Sequence, residues 1–272
     1  GFWTVKKFNF SSDVQDFKVN LTDQERGVIV RDLSAIAQIE TDVKKFWAKL
    51  GDNLPHPSVI DLGYVMAHTE TIHNRAYEKL LKVLDLKEVF QQNLKLDIIQ
   101  GRVNYLKKHN HKYYENSKKQ YIYALILFTL LIENVSLFSQ FYIILWFGRF
   151  RNVLKDTNQQ VSYTKNEELI HAQVGITFVN VLRQEYPELF DVELQEKVER
   201  EAAKAFDMES DIVDWILGDY RGERLSPEVI KEYIKYKIND SLAAIVYNRI
   251  FKIDPVLARD YEWMDEEVLG NN

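Results

Sequence analysis

Two short stretches place a carboxylate and an imidazole one helical turn apart. "AHTETIHNRAY" carries Glu70 and His73, with Tyr77 one turn further along the same face, and "KNEELIHAQ" carries Glu168 and His171. Spacing of i, i+3 sets two side chains side by side on a helix. Glu133 is the one acidic residue inside the long apolar run "YIYALILFTLLIENVSLFSQFYIILWFGRF", and Glu40 in "AIAQIETDV" borders another apolar stripe. A lone carboxylate in apolar surroundings costs several kcal/mol unless it is paired, protonated or bound to a metal. Each Glu-x-x-His is weak evidence by itself, and a solvated polar face is the bland alternative. The set of four segments is more specific. Two helices giving Glu-x-x-His and two giving a single Glu match what a helical bundle needs to hold two metal ions. Carboxylate oxygens with imidazole, and no thiolate, suit iron or manganese.

The elements that must position these residues read as helices throughout. Only ten glycines and five prolines interrupt the 272 residues, 46 % are hydrophobic, and apolar positions recur at helical rather than alternating spacing. The spacing predicts helices over about 22–50, 58–86, 89–113, 116–153, 159–186, 190–218 and 227–252. Thr22 with Glu25 forms a capping-box signature, Ser58 with Asp61 marks a second start, and Ser226-Pro227-Glu228 a third. The fold class is all-α, a ferritin-like bundle with a dinuclear metal site in its core, organised as one domain over 1–272. Residues 121–150 are long and apolar enough to suggest a membrane span. Glu133, Asn134 and Gln140 interrupt them, so a buried central helix is the better reading, with no membrane partner. His109 and His111 sit in a Lys- and Asn-rich stretch and read as solvated, His56 falls in a loop and His68 points off the Glu70 face. None is assigned to the metal.

A net charge of −6 without a basic block argues against nucleic acid as a partner. The chain has no cysteine and no secretory signal, which fits a cytoplasmic protein.

These segments resemble the small, radical-generating subunit of class I ribonucleotide reductase. "ETIHNRAY" is similar to that family's segment with a bridging Glu, a His ligand and the radical Tyr, and "NEELIH" to its second Glu-x-x-His helix. "FWTVKKFNFSSDVQDF" resembles the segment entering its core, and "YEWMDE" the stretch before its tail. The resemblance implies that Glu40, Glu70 and His73 bind one metal, Glu133, Glu168 and His171 the other, with Glu70 bridging. It implies a radical on Tyr77, and a relay from Trp3 through Glu167 to His73. It further implies O2 as the activating oxidant, a homodimer and a cysteine-bearing large subunit that reduces ribonucleotides to deoxyribonucleotides. Two departures matter. Most of the family has Asp where this chain has Glu40, so iron stands first while manganese/iron or two manganese ions remain open. No counterpart of the family's tail, which binds the large subunit, is evident before Asn272. The competing readings are another di-metal oxidase acting on a bound lipid or small molecule, a storage protein, and a metal-free scaffold. The oxidase would need a Tyr where Phe128 stands, opposite Val43, to form a Val–Tyr cross-link.

Overall fold

The computed structural model describes residues 3–111 and 118–269, with the side chains of 40–42, 106–111 and 267–269 outside that description. His109, His111 and the Glu40 side chain therefore lie outside the described residues. Among the described residues every extended element is helical, and the one β-type contact is an isolated bridge between Gly222 and Leu225.

Four long elements build the site. Helix α2 (Asp23–Ala48), which follows the short α1 (Ser11–Gln15), opens with the expected capping box: the Thr22 hydroxyl accepts from the Glu25 N–H and the Glu25 carboxylate accepts from the Thr22 N–H. After α3 (Leu50–Asn53) comes α4 (Pro57–Val83). Its cap is His56 rather than Ser58, because Pro57 takes the first helical position and the His56 ring accepts from the Ser58 N–H. The single helix expected over 89–113 is two, α5 (Lys87–Asn93) and α6 (Asp97–His111). Asn93 donates its amide to Ser34 on α2, and the chain turns through 94–96 with no Gly or Pro to announce it.

The apolar stretch becomes α7 (Lys118–Ile126), a π-helical segment Leu127–Ser136, and α8 (Phe138–Arg151). Its apolar window is long enough to cross a membrane and is wholly buried inside this fold, where it forms the central rod. Helix α9 (Lys155–Glu185) starts earlier than its sequence suggests because its cap comes from elsewhere. Asp13 on α1 accepts from the Asp156 and Thr157 N–H groups and from the Thr157 hydroxyl, and Asp156 in return accepts from the Phe10 N–H. Helices α10 (Val192–Leu217) and α11 (Pro227–Ala244) complete the wall, followed by α12 (Pro255–Tyr261) and α13 (Trp263–Leu269). Helix α11 stops at Ala244, short of the expected 252. Val246 enters the left-handed region at φ 63°, and the Asn239 side chain accepts from the Ile250 and Phe251 N–H groups as the chain folds back.

Helix α9 meets the π segment at a close approach that only glycine permits. A Cβ at Gly175 would fall 2.1 Å from the Thr129 Cβ. Gly175→Ala is therefore expected to destabilise the fold by about 1–3 kcal/mol in urea denaturation, the usual cost of overpacking. Gly101→Ala, on α6 with nothing within 4 Å of the added carbon, should instead gain up to about 1 kcal/mol.

Candidate metal centre

Helix α4 presents Glu70, His73 and Tyr77; α9 presents Glu168 and His171; the π segment presents Glu133. All six are buried, the five ligand-type residues to 2 % exposure or less. One potential ligand atom from each of Glu70, Glu133, Glu168 and His171 lies within 4.8 Å of the others. His171 Nδ1 faces three carboxylates, at 2.8 Å from Glu70 Oε1, 3.1 Å from Glu168 Oε2 and 3.6 Å from Glu133 Oε2. His73 Nδ1 lies 3.0 Å from Glu168 Oε1 and 3.5 Å from Glu70 Oε2. The structure thus brings together the five expected ligands whose side chains it describes. The sixth, Glu40, is on α2, and α2 reaches the cluster through Trp47, whose indole N–H donates to Glu133 Oε1.

Trp47 was not singled out from the sequence, although it lies seven residues after Glu40 and so on the same stripe of α2. Its ring also packs against His171, with centroids 5.6 Å apart.

The Glu133 carboxylate owes its position to the π geometry, one unit wider per turn than an α-helix and common at functional sites. At the return to α geometry the Ser136 carbonyl accepts from the buried Arg102 guanidinium of α6 at 2.5 Å. Arg102 also donates to the Ala35 carbonyl on α2 and to the Gln140 side chain, and pairs with Glu209 on α10 at 3.2 Å. This second buried polar cluster, also unread in the sequence, ties the Glu133 rod to the Glu40 helix.

The electrostatics fit a cation site. Burial, reinforced by the Glu168 and Glu70 charges, raises Glu133 well above the usual carboxylate range. Burial would lower His171, but the charges of Glu168 and Glu70 overcome it and hold the imidazole well above its ordinary value. Glu168 is held well below its usual range against burial, by a hydrogen bond from Glu133, by the charge of His171 and by hydrogen bonds from His171 and His73. Glu70 is lowered against burial and the Glu168 charge by His171 and His73. One ring nitrogen cannot donate to three carboxylates at once, so protons alone leave the cluster underserved. Two divalent ions among these oxygens and the two Nδ1 atoms would serve every group. On the far side of His73, Nε2 lies 2.6 Å from Glu167 Oε2, the outward carboxylate contact that orients a metal-binding imidazole. The same Glu167 oxygen accepts from the Trp3 indole N–H at 2.9 Å.

The small-chain model of ribonucleotide reductase matches residues 1–257. The chain belongs to that family. A relative, the ribonucleoside-diphosphate reductase subunit beta of Halalkalibacterium halodurans, is 24 % identical over 242 residues, covering 88 % of this chain and 69 % of the relative. A solved structure from Bacillus halodurans, assigned to class I ribonucleotide reductase, superposes with a TM-score of 0.88 at 21 % identity, covering 98 % of this chain and 95 % of that one. An R2-like ligand-binding oxidase carrying a Mn/Fe cofactor superposes at 0.74 with 17 % identity, covering 91 % and 89 %. The chain is thus a small, or beta, chain of an oxidoreductase family, on a helical fold that it shares with the class I structure.

The metal-free small subunit should show the titration of this cluster. Stability contributed by the raised groups, His171 and Glu133, is complete below their unfolded values and is lost as pH rises through their folded ones. Stability from the lowered groups, Glu70 and Glu168, is lost as pH falls through theirs. The melting temperature of metal-free protein, followed by circular dichroism, should therefore fall from neutral toward alkaline pH. Metal loading should abolish that fall, since cations replace the protons. A metal-free melting temperature that climbs into the alkaline range would contradict this charge balance.

Proposed function

We propose that this small subunit activates O2 at two transition-metal ions and stores an oxidising equivalent for a large subunit that reduces ribonucleotides to deoxyribonucleotides. The observation that carries the reading is the convergence of both Nδ1 atoms on the shared carboxylates of Glu70 and Glu168. In this reading Glu40, Glu70 and His73 hold one ion, Glu133, Glu168 and His171 the other, and Glu70 bridges. Bound there, the ions would supply electrons to O2 and Lewis acidity. Iron is the first expectation; the Mn/Fe cofactor of the R2-like oxidase keeps manganese open for a chain with Glu40.

The protein's own residues have separable tasks. Tyr77, on α4 one turn after His73 and with its phenol oxygen sealed from solvent, would lose one electron and its proton to the O2-derived oxidant and become the stable radical. Leu137 and Phe141, both buried, belong to the same core and help exclude the water that would quench it. Trp3 carries electrons between the surface and the centre through Glu167 and His73, an unbroken hydrogen-bonded path. With no cysteine, the chain lacks the thiols that ribonucleotide reduction requires, so the reducing chemistry falls to the large subunit. A homodimer is the family's expectation, and exposed apolar side chains on α4, Tyr64 and Val65, and on α9, Ile170 and Val181, support it; light scattering of the metal-loaded chain should give twice the monomer mass.

The cross-linking oxidase reading is disfavoured by Phe128. It has no hydroxyl, and its ring stacks on Phe46 with centroids 4.3 Å apart.

Aerobic reconstitution should load about two metal ions per chain, the stoichiometry of this bundle motif. With iron, electron paramagnetic resonance should show a tyrosyl signal that disappears in Tyr77→Phe while metal content is unchanged. A tyrosyl signal surviving that substitution would remove Tyr77 from the assignment. A metal-centred signal that supports turnover and ignores it would place the oxidising equivalent on the ions.

A further inference from the structure

The Trp3–Glu167–His73 path depends on a segment with little structure of its own. Residues 3–10 form no helix, and the Lys7 N–H to Thr4 carbonyl turn is their local backbone bond. Trp3 is only partly buried. Its indole hydrogen bond to Glu167 therefore needs an external frame.

Tyr163 of α9 supplies ring contacts, stacking on Trp3 at 5.9 Å and lying under the Lys7 ammonium at 4.6 Å, and one side chain supplies hydrogen bonds to the segment's backbone. Lys79 Nζ donates to the Val5 carbonyl at 2.6 Å and to the Phe8 carbonyl at 2.5 Å, and its ammonium lies 5.6 Å from the Phe10 ring centre. Among the described residues no carboxylate pairs with it. Phe8, whose carbonyl it holds, packs edge-on against the Trp3 ring with centroids 5.8 Å apart and is 2 % exposed. Lys79 sits on α4, six residues after His73 or about 9 Å along the helix at 1.5 Å per residue. The helix that carries the inner end of the path thus also carries the clamp on its outer end. The next hydrogen bond from this segment's backbone to another element, Phe10 N–H to Asp156, lies seven residues beyond Trp3. Hydrogen bonds from a charged donor are the stronger kind, and two of them on one ammonium fix both position and direction.

We propose that Lys79 is a positioning residue for the Trp3 path: it clamps residues 5–8 to α4 and so keeps the Trp3 indole on Glu167. The proposal rests on the reading of Trp3 as a relay, and its test separates the two.

The full-length chain is labelled with 15N-tryptophan, and hydrogen exchange is measured at all five indoles in the metal-free state, with Trp3 assigned through Trp3→Phe. Lys79→Met should speed exchange at Trp3 at least tenfold and leave Trp47, Trp146, Trp215 and Trp263 unchanged; Lys79→Arg should restore most of the protection. Unchanged exchange at Trp3, or faster exchange at all five indoles, would overturn the clamp. Separately, electron delivery from an external one-electron reductant to the loaded centre is timed by stopped flow. Lys79→Met should slow delivery toward the Trp3→Phe rate at unchanged metal content. If Trp3→Phe slows delivery and Lys79→Met does not, the clamp fails and the relay stands. If Trp3→Phe delivers as fast as the native chain, the relay fails, while the exchange result alone decides the clamp.

Discussion

Three carboxylates and two imidazoles are buried together in the middle of an apolar bundle, and the rest of the molecule is arranged around that fact. Glu70, Glu133 and Glu168 crowd within a few ångströms, where mutual repulsion and lost hydration would each be severe. Protons on His171 and Glu133 relieve part of the charge. Divalent cations would relieve the rest, and both rings turn Nδ1 toward the carboxylates that would hold them. The central rod takes a π turn there, and Arg102 anchors the point where it returns to α geometry.

Much of this was legible in the sequence because the chemistry is local. Glu70–His73 and Glu168–His171 are each readable within four residues, and Glu133 stands out by being the one acid in an apolar run. The Thr22–Glu25 capping box and the Ser226-Pro227 start follow the same logic: one turn of chain carries the signal. What escaped reading depends on distant partners. Helix α9 begins at Lys155 because Asp13, far away in sequence, caps it. The break at 94–96 follows from Asn93 reaching to Ser34. The π segment has no compositional mark. Arg102 looks like a surface residue of a polar helix until Asp32, Gln140 and Glu209 are brought around it, where burial raises both carboxyls and the guanidinium counters it.

The path outward from the metal centre shows the same division. The residue types at Trp3, Glu167 and His73 are visible in sequence, but their hydrogen bonds require that a structureless N-terminal segment lie against α4 and α9. Asp13, Asp156 and Lys79 achieve that with caps and a bridging ammonium. The Trp3–Glu167–His73 hydrogen bonds therefore depend on polar contacts made well outside the core.

The central claim is that the buried carboxylates form a two-metal site, and anomalous diffraction from crystals of the loaded chain tests it most directly. Data collected at the metal absorption edges should show two peaks per chain, one against His73 Nδ1 and one against His171 Nδ1, with a Glu70 oxygen on each and Glu40 closing the first. A single peak, or two peaks remote from these nitrogens, would contradict the account.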